Sequence, residues 1–432
     1  MSAGNFDHAG SKGGSGGKNR GTQVIVVGGG ASGMMAAIAA ARNGAAVTLL
    51  ERNPRIGKKL LATGNGRCNF TNVYAEATCY NSHNPCFVFG ALASFGVEET
   101  IAFFEQLGIA HKVEEQGKVF PMSDQASSVL DVLMYELQES GVQIVCDAFV
   151  KEIGKGKEKR FTLFLADGTA IEGDKVILAT GGKAMPASGS DGNGYQLATQ
   201  MGHPVTTVFP GLVQIMLEGD FFPQIQGVKI VGTAELLEDG KTIAADRGDI
   251  LFANYGVSGP PILQLSRKAG ELLRQQKTPL IRIRVLDNFT GDELKELLMT
   301  RFRNNPGKTV EFSLVGLINK RLIRVVLKEA GLTDLRRPAG SISARECAQI
   351  AALLTDWRLK VRGTKGWQSA QVTAGGVDTT KVNPKTMESR IVPGLYFTGE
   401  ILDVDGQCGG YNLQWAWSSG YVAGAHAAKE DG

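Results

Sequence analysis

Three glycines and one glutamate carry the strongest chemical signal in this sequence. Gly28, Gly30 and Gly33 fit the spacing G-x-G-x-x-G, with Ala31 and Ser32 between the last two, directly after the β-branched run Gln23–Val27. Such a run reads as a buried parallel strand. The first glycine permits a tight turn, the second lets a diphosphate approach the backbone, and the third lets the next helix pack on the strand. Unpaired N–H groups at the helix start, with their partial positive charge, would hold the phosphates. Glu51 closes a second apolar run, Ala46–Leu50, where an acid accepts both hydroxyls of an adenosine ribose. Its charge repels a 2′-phosphate and disfavours NADP; Arg52 is the residue that could be cited the other way.

The elements that must position these residues follow in order. An Ala-rich helix is expected from about Gly33 to Arg42, stopped by Asn43-Gly44. A second half-site is the apolar run Lys175–Leu178 ending in Ala179-Thr180-Gly181-Gly182. A third is Gly394–Phe397, running into Thr398-Gly399-Glu400, Asp403-Val404-Asp405-Gly406 and Gly409-Gly410-Tyr411-Asn412. A helix of small and apolar residues follows, from about Leu413 to Ala428. Together these pieces resemble the FAD-binding architecture of the two-dinucleotide-fold flavoproteins. That resemblance implies that Ala179, Thr180 and Gly181 pass the cofactor and that Gly399 and Glu400 hold its ribityl chain. It also implies that Gly410, Tyr411, Asn412 and Leu413 present a helix N-terminus to the flavin pyrimidine, where negative charge develops on reduction. FAD is therefore the expected cofactor.

The segment Gly57-Lys58-Lys59-Leu60-Leu61-Ala62-Thr63-Gly64-Asn65-Gly66-Arg67-Cys68-Asn69-Phe70-Thr71-Asn72 is more specific. It resembles the GKK…TG-x-GRCN-x-TN segment of the BaiN/aminoacetone-oxidase family, which includes the YhiN-type proteins. Gly117-Lys118-Val119-Phe120-Pro121, Gly256-Val257-Ser258-Gly259-Pro260 and Thr373-Ala374-Gly375-Gly376-Val377 add to the likeness, which runs from about residue 22 to the C-terminus. The resemblance places Lys58, Lys59, Gly64, Asn65, Gly66, Arg67, Cys68 and Asn69 near the FAD. It implies an α/β fold: a Rossmann-like FAD-binding domain with an inserted β-barrel-like domain and a small, partly helical domain. The boundaries expected are 22–200 and 373–432 for the FAD domain, 201–260 and 340–372 for the barrel, and 261–339 for a basic helical insert. Residues 1–21, rich in Gly, Ser and Lys, are expected to be a disordered tail. Members have been assigned to oxidation of aminoacetone-like amines, reduction of steroid C=C bonds and formation of dihydrouridine in ribosomal RNA.

Flavin would carry the electron chemistry, and protein groups would position substrate and manage protons. Arg67 has two readings, as a stabiliser of an anionic flavin or substrate and as a structural tie for its loop. Cys68 lacks a partner for dithiol chemistry and reads as a small buried residue. None of His8, His83, His111, His203 and His426 lies in a motif that makes it an acid; Tyr411, Asp403 and Asp405 are candidates, and the proton donor stays open. Gly189–Gly194 lacks the spacing of a second nucleotide unit, so NAD(P)H would act as a transient reductant at the open flavin face.

Composition sets the outer limits. With 43% hydrophobic and 21% charged residues the chain reads as a globular protein of two or three domains. Gly accounts for 56 of 432 residues, well above the usual ~7%. A net charge of +3 argues against a generically basic nucleic-acid binder. Six scattered cysteines form no CxxC pair, so no metal site is expected, and they suit a reducing compartment. No apolar run approaches the ~18 residues of a membrane span, and no signal-like segment opens the chain, so a cytoplasmic protein is expected. Residues 267–337 hold 16 Lys and Arg against 8 Asp and Glu, a solvated face or a surface for RNA. The expected function is FAD-dependent reduction of an activated C=C bond, in a small molecule or in a uracil of ribosomal RNA, with electrons from NAD(P)H. The alternatives are an amine oxidase releasing peroxide and an RNA-binding flavoprotein with little turnover.

Overall fold

A computed structural model describes residues 21–156 and 160–430; the expected tail up to residue 20 lies outside them. In chain order the elements that matter are β1 (Gln23–Val27), α1 (Ala31–Arg42), β2 (Ala46–Leu50), β3 (Lys118–Pro121), β4 (Gln143–Val145) and β5 (Lys175–Leu178). Then come β6 (Ile215–Leu217), β7 (Lys229–Glu238), β8 (Lys241–Ala253), β9 (Gly256–Ser258), α2 (Pro260–Arg274) and β10 (Leu280–Arg284). Helices α3 (Gly291–Asn304), α4 (Lys320–Glu329) and α5 (Ala344–Thr355) precede β11 (Trp357–Thr364), β12 (Leu395–Phe397) and α6 (Tyr411–Ala427).

The first sheet runs β12-β5-β1-β2-β4, all parallel. Its register sets Val27 beside Leu178 and Leu178 beside Phe397, so Gly28, Ala179 and Thr398 leave the sheet at one carboxyl edge. Ligands bind at such edges in open α/β sheets. Helix α1 packs on α6 through glycines four residues apart: a Cβ on Gly420 would stand 2.5 Å from Ser32 O, and one on Gly424 would stand 2.1 Å from Ala36 O. Side chains there would push apart the two helices that start at the expected cofactor site.

Strands β6-β9-β8-β7-β10-β11 form a closed barrel, sealed by the pairing of β6 with β11. The structure corrects the expected division of this region. Residues 261–284 carry α2 and β10, and β10 pairs with both β7 and β11, so they belong to the barrel. The alternation of Leu280–Arg284 was masked by its charged outward residues, Arg282 and Arg284. Helices α3 to α5 therefore occupy the stretch between β10 and β11, beyond residue 340 as well as before it. They share one hydrophobic core with the barrel, in which Leu294, Leu322 and Ile350 pack with Ile281, Ile283 and Trp357. A second core fills the FAD domain. Helix α1 also starts at Ala31, two residues earlier than the sequence suggests.

Candidate flavin site and the cleft beside it

At the diphosphate end the glycines behave as their spacing demands. Gly28 has φ +108, and a Cβ there would stand 2.5 Å from Ala179 O, so strand ends β1 and β5 meet with no room for a side chain. A Cβ on Gly33 would lie 1.8 Å from Gly28 O, which fixes the helix on its strand. Gly30 differs: a Cβ there meets nothing within 4 Å, and no side chain caps α1. Open space thus lies over a helix start whose first N–H groups need an acceptor. Buried Glu51 is aimed by backbone, accepting from Gly29 N at 2.9 Å and Asn53 N at 2.8 Å. Arg52 turns away, pairing with Asp191 at 2.5 Å and covering the Phe149 ring at 4.5 Å.

Gly399 and Glu400 are held from α6 and from the first domain segment. Trp415 Nε1 donates to Gly399 O, and Gly399 N donates to Ser419 Oγ. Glu400 accepts from Thr373 N at 2.9 Å and from Lys59 Nζ at 2.7 Å. Lys59 and Glu400 are thus brought together, whereas Lys58 is exposed and makes no such contact. Ala179 leaves β5 against Gly28. The Thr180 hydroxyl, buried without a partner among the described residues, packs against Gly194, and Gly181 (φ +71) turns beside Ser190.

The segment 64–72 lies against the start of α6. Gly64, Asn65, Gly66 and Cys68 all adopt left-handed backbone. Asn69 Oδ1 accepts from Val119 N, Thr71 Oγ1 donates to Gln414 Oε1, and Asn72 Nδ2 donates to Gly409 O at 2.8 Å. Gly410 (φ +102) leaves no room for a side chain, since a Cβ would stand 2.4 Å from Thr71 O. Like α1, α6 starts on a glycine without a side-chain cap, followed by Tyr411, Asn412 and Leu413. Asn412 closes the loop before it, donating to Gly406 O and accepting from Gly406 N. Two helices uncapped at glycines, an oriented acid and orphaned backbone donors fit a molecule that is anionic at its diphosphate and at its reduced ring. The residues present suit FAD.

Two ambiguities of the sequence resolve locally. Arg67 donates to Asp124 Oδ1 at 2.8 Å and to Glu114 Oε2 at 3.1 Å, while its guanidinium covers the Phe120 ring at 4.0 Å; it ties its loop down. Cys68 is buried, and burial pushes its thiol up to about 12, so no thiolate is available. His203 is likewise a core residue, bonded to Ser389 and held neutral by burial that pushes its imidazole down to about 4. Arg301, expected on a solvated basic face, donates instead to the carbonyls of Ser313 and Val315.

Beyond the flavin loop the barrel domain closes over residues 403–409. Arg267 on α2 binds Asp405 at 2.8 Å, Asn81 Nδ2 adds a bond at 3.1 Å, and Gln264 accepts from Cys408 N at 2.9 Å. Burial and the nearby Asp403 raise the Asp405 carboxyl to about 6 against the pull of Arg267 and Asn81. Asp403, fully buried, accepts from His83 Nδ1 at 2.6 Å, a pairing the sequence did not suggest because 320 residues separate them. Lys118 also reaches this end, its Cε 3.5 Å from where a Gly409 Cβ would stand, and was visible only as part of a matched motif.

A Rossmann-type sheet with these glycine-framed helix starts defines a dinucleotide-binding flavoprotein. The chain belongs to the family described as HI0933-like protein Rossmann domain, whose model matches residues 22–426. It is an FAD-dependent oxidoreductase. It is 41% identical over 387 residues to the 3-dehydro-bile acid delta(4,6)-reductase of Clostridium scindens, covering 89% of this chain and 93% of the relative. It is 35% identical over 384 residues to the ribosomal RNA dihydrouridine synthase of Escherichia coli, covering 88% and 91%. The synthase of the same name from Haemophilus influenzae is 33% identical over 391 residues, covering 90% and 94%. Among solved structures, the 3-ketosteroid-delta4-(5alpha)-dehydrogenase of Rhodococcus jostii overlaps 96% of this chain and 99% of its own at 16% identity and a TM-score of 0.46, too loosely to bear on activity. Among the described residues no single helix is long and apolar enough to cross a membrane.

Proposed function

We infer that this chain reduces a C=C bond conjugated to a carbonyl in a small-molecule substrate, with FAD as the hydride carrier. The observation that carries the reading is that relatives matching nearly the whole chain are named for adding hydrogen across such a bond, in a bile acid or in a uridine. Bound FAD would supply a hydride to substrate and take one from a donor such as NAD(P)H. Glu51 and the first turn of α1 would hold its adenosine diphosphate, Lys59 and Glu400 the ribityl chain, and Gly410–Leu413 the pyrimidine. The barrel, held by Arg267 to Asp405, would cover the side on which substrate is proposed to lie.

A small substrate is favoured over RNA by the chemistry of the basic stretch. Arg267, Arg282, Arg301, Arg324 and Arg337 are committed to carboxylates or carbonyls within the protein. Arg303 and Lys320 make no such bond among the described residues, and Lys308 lies over the exposed Phe312 ring at 5.7 Å. An amine oxidase remains distinguishable by its electron acceptor. Anaerobic reduction of the holoprotein, followed by mixing with a conjugated enone, with uridine or with oxygen, tests the reading. Rapid reoxidation by the enone with slow reoxidation by oxygen is expected; fast oxygen reaction with stoichiometric peroxide and no enone reaction would overturn it.

A further inference from the structure

Lys59, Arg67, Lys112 and Arg267 are each neutralised by a carboxylate within the protein. Lys59 meets Glu400 at 2.7 Å, Arg67 and Lys112 share Asp124 and Glu114, and Arg267 meets Asp405 at 2.8 Å. Lys118, the half-buried first residue of β3, differs. Its ammonium donates to the amide oxygen Gln116 Oε1 at 2.8 Å, and among the described residues it forms no ion pair. Asp246 on β8 feels this charge through space but does not pair with it.

Direct contacts fix where that charge stands. Lys118 lies in register with Asn72 on the neighbouring strand. The Asn72 amide donates to Gln116 O at 3.0 Å and to Gly409 O at 2.8 Å, so it clamps the turn before Lys118 to the glycine pair before α6. A Cβ on Gly409 would stand 3.5 Å from Lys118 Cε and 3.6 Å from both Asn72 Nδ2 and Tyr411 Cε2. The ammonium is one C–N bond past Cε, hence within about 5 Å of that point. Gly410 follows directly and starts α6 with no side-chain cap, leaving N–H groups of the first turn to be satisfied there. A half-buried cation beside the positive end of a helix is unfavourable unless an anion lies between them.

We propose that Lys118 and the first turn of α6 together hold the negative charge that bound FAD gathers on its pyrimidine ring when it carries a hydride. The inference rests on the pyrimidine lying at Gly410–Leu413, and it holds whichever substrate finally takes the hydride. In the balanced step a donor of the reduced-nicotinamide class gives up a hydride and is left oxidised. The hydride bonds to N5 of the ring, and the displaced electron pair comes to rest at N1 and the C2 carbonyl oxygen, so one negative charge appears there. Lys118 keeps its proton throughout and acts by charge and hydrogen bonding. The same cation aimed at a substrate carboxylate would leave the cofactor's own equilibrium unchanged, which separates the two roles.

The test reads the cofactor rather than turnover, in the full-length holoprotein. The two-electron potential is measured against a reference dye during slow reduction by xanthine and xanthine oxidase. Sulfite, which adds at N5 and drives the same charge onto the pyrimidine, is titrated by its bleaching of the flavin. Lys118→Met is expected to shift the redox equilibrium about tenfold toward the oxidised form, a fall of roughly 30 mV, and to weaken sulfite binding about tenfold. Lys118→Arg keeps the charge and should stay within about twofold of wild type. Gln116→Glu sets a carboxylate against the ammonium from an exposed position and leaves the Asn72 bond, which uses the Gln116 main chain, intact. It should lower both readings in the same direction, and it carries the test if Lys118→Met does not fold. Asn412→Asp, in the first turn of α6, probes the placement of the ring. A fall in potential there, with none in Lys118→Met or Gln116→Glu, would overturn the role of Lys118 alone, even if substrate bound more weakly. No shift in any of the three would overturn the placement and the proposal together.

Discussion

The Arg267 guanidinium meets the Asp405 carboxylate at 2.8 Å, joining helix α2 of the barrel to the loop that precedes α6, with both side chains largely shielded from solvent. Together with the bond from Cys408 N to Gln264, this pair ties the barrel to the loop before α6. A buried pair of this kind adds little net stability compared with apolar packing, but removing one partner strands the other.

Arg267→Met should therefore destabilise the protein in a pH-dependent way. Asp405 has its folded carboxyl raised to about 6 from 3.8. A raised carboxyl contributes stability that is fully present below about pH 4 and is lost as pH rises through 6. Without Arg267 the carboxyl rises further and the loss at high pH grows. The variant is expected to lose about 3–5 kcal/mol at pH 8 and clearly less at pH 5. Denaturant unfolding at the two pH values checks this; an equal loss at both would contradict it.

Gly30 and Gly33 should respond oppositely to alanine. Gly30→Ala adds a methyl where the protein has nothing within 4 Å, so the apoprotein should keep its melting temperature. The methyl enters the space over the first turn of α1, and FAD affinity should fall at least tenfold, about 1.4 kcal/mol. Gly33→Ala places its Cβ 1.8 Å from Gly28 O and should unfold or strongly destabilise the domain. Flavin fluorescence titration and melting curves separate the two effects.

Thiol reactivity should follow burial rather than motif. Cys68 is buried with its thiol pushed up to about 12, whereas Cys86 is exposed. At pH 8 iodoacetamide should label Cys86 within minutes and leave Cys68 intact in the folded protein, as peptide mass spectrometry would show. Early labelling of Cys68 would place a thiolate at the flavin segment after all.

Arg301 and Arg303 differ in the same predictable way. Arg301→Ala removes donors from the carbonyls of Ser313 and Val315 and should cost about 1.5–3 kcal/mol. Arg303, which makes no such bond, should be neutral to stability within ~0.5 kcal/mol when changed to Ala. Paired denaturation curves decide, and loss of stability only at Arg303 would reverse the assignment.

What could be read from residues alone was whatever depends on local backbone chemistry. The turn at Gly28–Gly33, the acid at Glu51 and the small-residue approach to α6 all follow from steric rules acting over a few residues, and the structure places them as their spacing required. The barrel edge was misjudged because Leu280–Arg284 is a strand only by virtue of its neighbours, Ala234–Leu237 on one side and Trp357–Lys360 on the other. Arg67 and Arg301 could not be assigned from type, since an arginine serves a ligand or a loop according to which acceptors the fold brings near it.

The cleft shows the same division more sharply. Arg267 with Asp405, His83 with Asp403 and Lys59 with Glu400 each join residues more than a hundred positions apart in the chain. Local periodicity holds no information about such distances; only the packing of a closed barrel onto a parallel sheet creates them. Cofactor class was written in the order of residues, and the joining of the barrel to the loop before α6 came from long-range contact.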